Sequence, residues 1–419
     1  MEKLIVKGKK NLSGTIPISG SKNASLPILA ASILTNKVLI KNIPLVRDIS
    51  TMIDLLRFIG MECKLEKKKN LVKIKNTKKK INPVAPYKLM KTMRAGVLVL
   101  GPLLAKYKKA KISLPGGCAI GTRPVNLHLF ALKRLGAKIK IKNGYIFASA
   151  ENGLKGSVIR FTKISVGATE SAILSALLAK GKTTLLNCAI EPEVLDLINF
   201  LNKIGGKINI FNRKITINGI SEIKNKEFSH KVMFDRIELG TYIIAGALSG
   251  KKLVITNVNP KIIKTELKIF KKMGIKFIIS RNKIIILSSK KINRISIHTE
   301  PYPGFPTDLQ AQIMVLMTRA KGISKIRENI FENRFMHVPE LRRMGAKIEI
   351  KNNTASVYGQ SDLSGAEVMA TDLRASVSLV LAGLIASGQT IINRIYHLDR
   401  GYFNLEKKLK KCKAVINRI

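Results

Sequence analysis

The chain has 419 residues, 46% of them hydrophobic, with 75 Lys and Arg against 26 Asp and Glu and a formal net charge of +49. That length exceeds what one hydrophobic core supports, so two domains are expected, and the apolar stretches at residues 96–105 and 376–387 are too short and too rich in small residues to span a bilayer. Four cysteines, at 63, 118, 188 and 412, show no CxxC spacing or disulfide framework, and the first residues lack the apolar core of a signal peptide, so a cytoplasmic, reduced setting is expected.

The first predicted element is a helix over residues 24–34, apolar around most of its circumference, followed by a strand at Val38-Leu39-Ile40. An amphipathic helix then ends at Leu56-Arg57-Phe58-Ile59-Gly60, where the glycine is placed to cap it before a strand. This order of elements returns with a period of about 70 residues. Apolar helices are predicted over residues 89–105, 166–179, 235–249, 307–320 and 371–387, with strands at 111–113, 184–186, 253–255, 324–326 and 390–392. Capping glycines recur at 136, 205, 274 and 345, and in the sixth, degraded copy Lys413 takes the glycine's place. Hairpins follow the caps, most plainly at Asn143-Gly144.

Each unit therefore reads strand, buried helix, strand, surface helix, hairpin. Six units in two groups of three predict an α/β protein of two similar domains, helices inside and sheet outside. Polar residues gather at the starts of the buried helices: Lys22 and Asn23, Lys91 and Arg94, Lys163 and Ser165, Asp235 and Arg236, Asp308, and Asp372 with Arg374. Helix N-termini suit anions, so six converging N-termini would make a cationic cleft for a polyanionic small molecule. Capping by Asn23, Ser165, Thr307 and Thr371 accounts for the hydroxyls and amides. It does not account for Lys22, Arg94 or Arg374, because cations oppose the dipole there.

The stretch Leu114-Pro115-Gly116-Gly117-Cys118-Ala119-Ile120-Gly121-Thr122-Arg123-Pro124 packs three glycines into six residues. It predicts a loop carrying a thiol with a guanidinium five residues on, a setting in which thiol acidity can be tuned. The net charge admits a second reading, nucleic-acid binding. Scattered lysines, 5% aromatic residues and the absence of any helix-turn-helix, zinc or RNA-recognition signature instead predict no specific nucleic-acid site. A composition heavy in Lys, Ile and Asn is what AT-rich coding produces.

Six motifs carry a resemblance that runs essentially the length of the chain: Ser19-Gly20-Ser21-Lys22-Asn23-Ala24, Leu114-Pro115-Gly116-Gly117-Cys118, Phe305-Pro306-Thr307-Asp308, Phe331-Glu332-Asn333-Arg334-Phe335-Met336-His337, Ala370-Thr371-Asp372-Leu373-Arg374-Ala375 and His397-Leu398-Asp399-Arg400-Gly401-Tyr402. With them the chain resembles the UDP-N-acetylglucosamine 1-carboxyvinyltransferases, the enolpyruvyl transferases that open peptidoglycan synthesis. The resemblance implies an inside-out α/β barrel in each of two domains, residues 22–232 and 233–419, with residues 1–21 joining the second.

It also implies transfer of the enolpyruvyl group of phosphoenolpyruvate to the 3′-hydroxyl of UDP-N-acetylglucosamine, with release of phosphate. By likeness Cys118 is the general acid and forms a covalent adduct with phosphoenolpyruvate, and Asp308 is the base for the sugar hydroxyl. Lys22, Asn23, Arg123, Arg374 and Arg400 would hold phosphoenolpyruvate, whose phosphate and carboxylate need several cations. Arg94, the run Arg123, Pro124, Val125, Asn126 and Leu127, the run Lys163, Ile164, Ser165 and Val166, Asp308 and Ile330 would bind the UDP-sugar. His128 and His337 are read as structural or orienting residues rather than acid–base groups. Neither metal nor cofactor is expected. Asn126 departs from the family's Asp, keeping the shape and losing the charge. A shikimate-pathway enolpyruvyl transferase is the nearest alternative, and Cys118 argues against it, since that relative uses no such thiol.

Overall fold

The computed structural model describes residues 2–76, 81–116, 125–289 and 291–419. These form two compact units, one of residues 2–19 with 234–419 and one of residues 20–116 with 125–233. Cys118, Arg123 and Pro124 lie outside the described residues.

In the unit of residues 20–233, three buried segments pack together: the helix Lys22–Ala31, the 3-10 turn Arg94–Val99 running into the helix Leu100–Tyr107, and the helix Val166–Ala176. The expected helix over 89–105 is thus broken. A single turn, Tyr87–Met90, precedes the 3-10 stretch; Gly96 weakens the α-helical ladder within that stretch, and Gly101 and Pro102 stand in the first turn of the helix after it, where Pro102 has no N–H to give to Leu98 O. Gly101 also lets this segment lie close to its neighbour, since a Cβ there would fall 2.5 Å from Ser175 Oγ.

In the unit containing residues 234–419 the buried helices are Arg236–Ser249, Gln310–Met317 and Leu373–Ile385, which again pack on one another. The middle one opens with a 3-10 turn, Thr307–Leu309. All of Gln310–Met317 is buried, as its apolar circumference predicts.

Among the described residues, six four-stranded sheets lie outside these helices, three to a unit, and all share one topology. A short strand pairs in parallel with the strand that follows the buried helix, and a hairpin completes the sheet antiparallel. In the third repeat, Val158–Arg160 runs parallel to Lys182–Leu186, followed by Lys214–Asn218 and Lys207–Phe211. Burial alternates along such strands, as for a sheet with one face on the core and one in solvent. The first, fourth and last repeats close through distant pieces of chain. Glu227–Lys231 pairs with Lys37–Lys41, Leu12–Pro17 with Gly250–Thr256, and Leu4–Lys7 enters between Gln389–Asn393 and Val415–Arg418.

The repeated glycines do what the pattern requires. Gly60, Gly136, Gly205, Gly274 and Gly345 all have positive φ, from 83° to 118°, and Lys413 adopts φ 70° in the degraded copy. Asn143 and Gly144 turn with φ 51° and 73° between Lys138–Lys142 and Tyr145–Ser149. No helix among the described residues is long and apolar enough to cross a membrane.

Candidate active site

In the unit of residues 20–233 the site residues sit where the buried segments begin. Lys22 opens its helix, and Ser21, not Asn23, is the N-cap, its Oγ accepting from Ala24 N–H at 3.2 Å. Gly20 is required before it, because a Cβ there would fall 1.7 Å from Asn42 O. The Lys22 ammonium lies 3.4 Å from Asp48 Oδ2, with both side chains largely buried. That carboxylate offsets the unfavourable dipole and holds the cation at the helix start.

Ser165 caps the helix Val166–Ala176 as expected, accepting from Ala168 N–H at 3.3 Å. Lys163 is exposed and Ile164 half-buried in the turn leading into it. Val125 precedes the helix Asn126–Arg134 without a side-chain cap, Asn126 is exposed and Leu127 half-buried. His128 joins these two turns. Its ring packs so tightly on Gly167 that a Cβ there would be 3.0 Å from His128 Cε1. Burial first, and then the Arg94 charge, lower the imidazole from its ordinary 6.5 to about 3, so it stays neutral. His128 thus packs the 125–128 turn against the 163–167 turn, with the Arg94 charge near enough to oppose its protonation.

The other unit holds the acid. Asp308 lies in the 3-10 turn Thr307–Leu309 with its carboxylate between two buried guanidiniums: Arg334 Nη2 donates to Oδ1 at 2.8 Å and Arg374 Nη2 to Oδ2 at 2.7 Å. Burial opposes the Arg374 charge, and the Asp308 carboxylate together with the other groups facing it, Asp235 among them, overcomes this and holds the guanidinium firmly protonated. Asp372, rather than Thr371, caps the helix Leu373–Ile385, accepting from Arg374 N–H at 2.7 Å and Ala375 N–H at 3.1 Å. Asp372 therefore serves the backbone while the Arg374 side chain turns to Asp308. Asp399 is engaged by Arg418, at 2.6 and 3.0 Å, and Arg400 ends the 3-10 helix Ile395–Arg400 half-buried.

Three contributors had no role in the sequence reading. Arg334 stands inside one of the six motifs, and its approach to Asp308 is what brings it into the candidate site. Buried Glu328 fixes the loop that bears Ile330. It accepts from the Ile330 and Phe331 N–H groups at 2.9 and 3.2 Å and from the Thr299 and Thr307 hydroxyls at 2.9 Å each, which binds Ile330 to the Asp308 turn. Tyr402 is buried with its hydroxyl 3.2 Å from Arg374 Nη1. Nothing in a linear sequence marks such long-range partners.

The three described cysteines are poor nucleophiles. Burial pushes the Cys63 and Cys188 thiols up to about 12 and raises Cys412 as well. His337 is buried, with Nε2 3.3 Å from Met314 Sδ, and burial lowers it to about 4. Among the described residues no group of three or more His, Cys, Asp or Glu is placed to hold a metal ion.

The chain matches the family described as EPSP synthase (3-phosphoshikimate 1-carboxyvinyltransferase) over residues 6–409. It is 59% identical to a UDP-N-acetylglucosamine 1-carboxyvinyltransferase of Pelagibacter ubique (strain HTCC1062) and 52% identical to one of Rickettsia felis (strain ATCC VR-1525 / URRWXCal2), each over 100% of both chains. In fold it is similar to the enolpyruvyl transferase NikO from Streptomyces tendae, with a TM-score of 0.90 at 23% identity, covering 100% of this chain and 99% of that one. It is also similar to EPSP synthase from Acinetobacter baumannii, with a TM-score of 0.77 at 18% identity and the same coverage. The repeated fold, the anion-suited helix starts and full-length identity above one half together place this chain in the UDP-N-acetylglucosamine 1-carboxyvinyltransferase family of enolpyruvyl transferases.

Proposed function

We propose that the chain transfers the enolpyruvyl group of phosphoenolpyruvate to the 3′-hydroxyl of UDP-N-acetylglucosamine and releases phosphate, the first committed step of peptidoglycan synthesis. The observation that carries this reading is 59% identity along the whole chain to an enzyme of that name. Chemically, the sugar oxygen bonds to C2 of phosphoenolpyruvate while the methylene carbon gains a proton. Phosphate then leaves as that carbon gives a proton back, so atoms and charge balance.

In this reading Asp308 takes the hydroxyl proton. Its carboxylate is fixed in direction by Arg334 and Arg374, which supports a base that must meet one oxygen of a large substrate. Cys118 supplies the proton to the methylene carbon. Lys22, Asn23, Arg123, Arg374 and Arg400 bind phosphoenolpyruvate, offering charge to its phosphate and carboxylate without a metal ion. Arg94, residues 123–127 and 163–166, Asp308 and Ile330 bind the UDP-sugar. Asn126 keeps an acceptor oxygen where the family has a carboxylate. We place the reaction in the cytoplasm, where both substrates are made.

The test is phosphate release from phosphoenolpyruvate with UDP-N-acetylglucosamine, run beside shikimate 3-phosphate. Release with the nucleotide sugar alone is the expected result, and release with shikimate 3-phosphate alone would overturn the reading.

A further inference from the structure

A buried chain of hydrogen bonds stands behind Arg374. Thr241 Oγ1 donates its only proton to Ile237 O at 2.8 Å. Tyr402 OH lies 2.9 Å from Thr241 Oγ1, so the phenol must be the donor in that pair. Its proton is then committed, and its lone pairs are turned to the donors around it, Arg374 Nη1 at 3.2 Å and Gln312 Nε2 at 3.2 Å. Gln312 Nε2 also donates to Asp308 O at 2.8 Å. Thr241, Gln312, Arg374 and Tyr402 are each at most 4% exposed, so no solvent relaxes the arrangement. Burial raises the Tyr402 phenol above its ordinary range and keeps it protonated at neutral pH.

The three side chains that meet Tyr402 come from the three buried helices of this unit, Thr241 from Arg236–Ser249, Gln312 from Gln310–Met317 and Arg374 from Leu373–Ile385. Arg374 carries its charge at a helix N-terminus, against the dipole, so the groups that hold it there set its direction.

We propose that Tyr402 is a positioning residue for the transfer reaction: through its fixed hydroxyl it orients the Arg374 guanidinium, and through Arg374 the Asp308 carboxylate. This rests on the reading above of Asp308 and Arg374 as site residues. Tyr402 touches no substrate in this proposal, and of the residues assigned to the UDP-sugar it acts on Asp308 alone, so its effect falls mainly on the rate of the bound complex rather than on capture of the nucleotide sugar.

The experiment is a double-mutant cycle on phosphate release, with Tyr402→Phe and Arg374→Lys alone and combined. Tyr402→Phe keeps the buried ring and removes one hydroxyl. We expect kcat to fall by about tenfold, the scale of one charge-assisted hydrogen bond, with KM for UDP-N-acetylglucosamine changed by less than about twofold. In the Arg374→Lys background, which lacks the fork, the same substitution should cost less than about twofold more. A merely structural tyrosine would lower the rate equally in both backgrounds, and that result overturns the proposal, as does an unchanged kcat for Tyr402→Phe. If Arg374→Lys keeps the parent rate, the site assignment itself has failed. A crystal structure of the Tyr402→Phe variant decides the matter independently of activity: Arg374 and Asp308 displaced supports the proposal, and both unmoved refutes it.

Discussion

His128 shows how a single residue couples the site's architecture to pH. Its folded value, about 3, lies below its ordinary 6.5, so between those limits the unfolded chain binds a proton that the folded one refuses. Stability therefore falls as pH drops through 6.5 toward 3, by about 1.4 kcal/mol per pH unit for this group. Glu170 acts oppositely. Burial, then Glu193 and Glu191, push its carboxyl well above the ordinary range, so its contribution is lost as pH rises instead. The total curve mixes both signs, and a difference measurement isolates His128. We expect His128→Gln to be destabilised relative to the parent at pH 7. That deficit should shrink by about 1.4 kcal/mol for each unit the pH is lowered below 6.5. Urea unfolding of the two proteins at several pH values checks this, and a constant gap would show that His128 is charged in the fold. The sequence suggests a structural or orienting role for His128, but neither the Gly167 contact nor the Arg94 charge was visible there, because both partners are distant in sequence.

At the scale of the element, periodicity exposed most of the fold. Capping glycines, hairpin dipeptides and strands following apolar helices were legible because each is set by local backbone chemistry. What stayed hidden was non-local or competitive. The parallel edge strand Glu227–Lys231 finds its partner almost two hundred residues upstream at Lys37–Lys41. The second buried helix breaks because Gly96, Gly101 and Pro102 outweigh its apolar pattern. At the helix starts Ser21 and Asp372 cap where Asn23 and Thr371 were expected, because a cap must stand just outside the first turn and which neighbour does so is set by where the backbone turns helical. Lys413 is the one repeat cap that is not glycine and still adopts φ 70°. A side chain there costs about 1 kcal/mol, so Lys413→Gly should stabilise the protein by roughly that amount. Gly205→Ala is the converse. Nothing lies within 4 Å of the added methyl, so its cost of about 1 kcal/mol should be backbone strain alone. Paired denaturant midpoints for the two variants test this, and shifts of equal sign would refute the account.

At the scale of the whole molecule the dominant fact is a charge of +49 on an enzyme whose proposed substrates are both multiply anionic. A field of that sign raises the local concentration of anions and speeds their arrival, and salt screens it over about 8 Å at physiological ionic strength. The same field attracts nucleic acid, so the two consequences must be separated. The sheet face that comes nearest to a nucleic-acid platform carries Lys109, Lys111, Lys138, Lys140 and Lys142 around Tyr145 and Phe147. There Lys111 Nζ already sits 5.0 and 5.3 Å from the two ring centroids, in the space a stacked base would need. Lysine also lacks the planar fork that reads base edges in pairs. Binding to nucleic acid should therefore be purely electrostatic. Two unrelated DNA duplexes of equal length should bind within about twofold of each other, with affinity falling as a power of salt concentration. Over the same salt series kcat/KM for phosphoenolpyruvate should decline while kcat holds, because screening slows encounter and leaves the bound complex unchanged. Fluorescence anisotropy beside steady-state kinetics in one buffer series measures both. Tight binding at physiological salt that discriminates between the duplexes would show that the charge forms a specific nucleic-acid site, and a kcat that falls in step with kcat/KM would show that salt acts on the bound complex rather than on encounter.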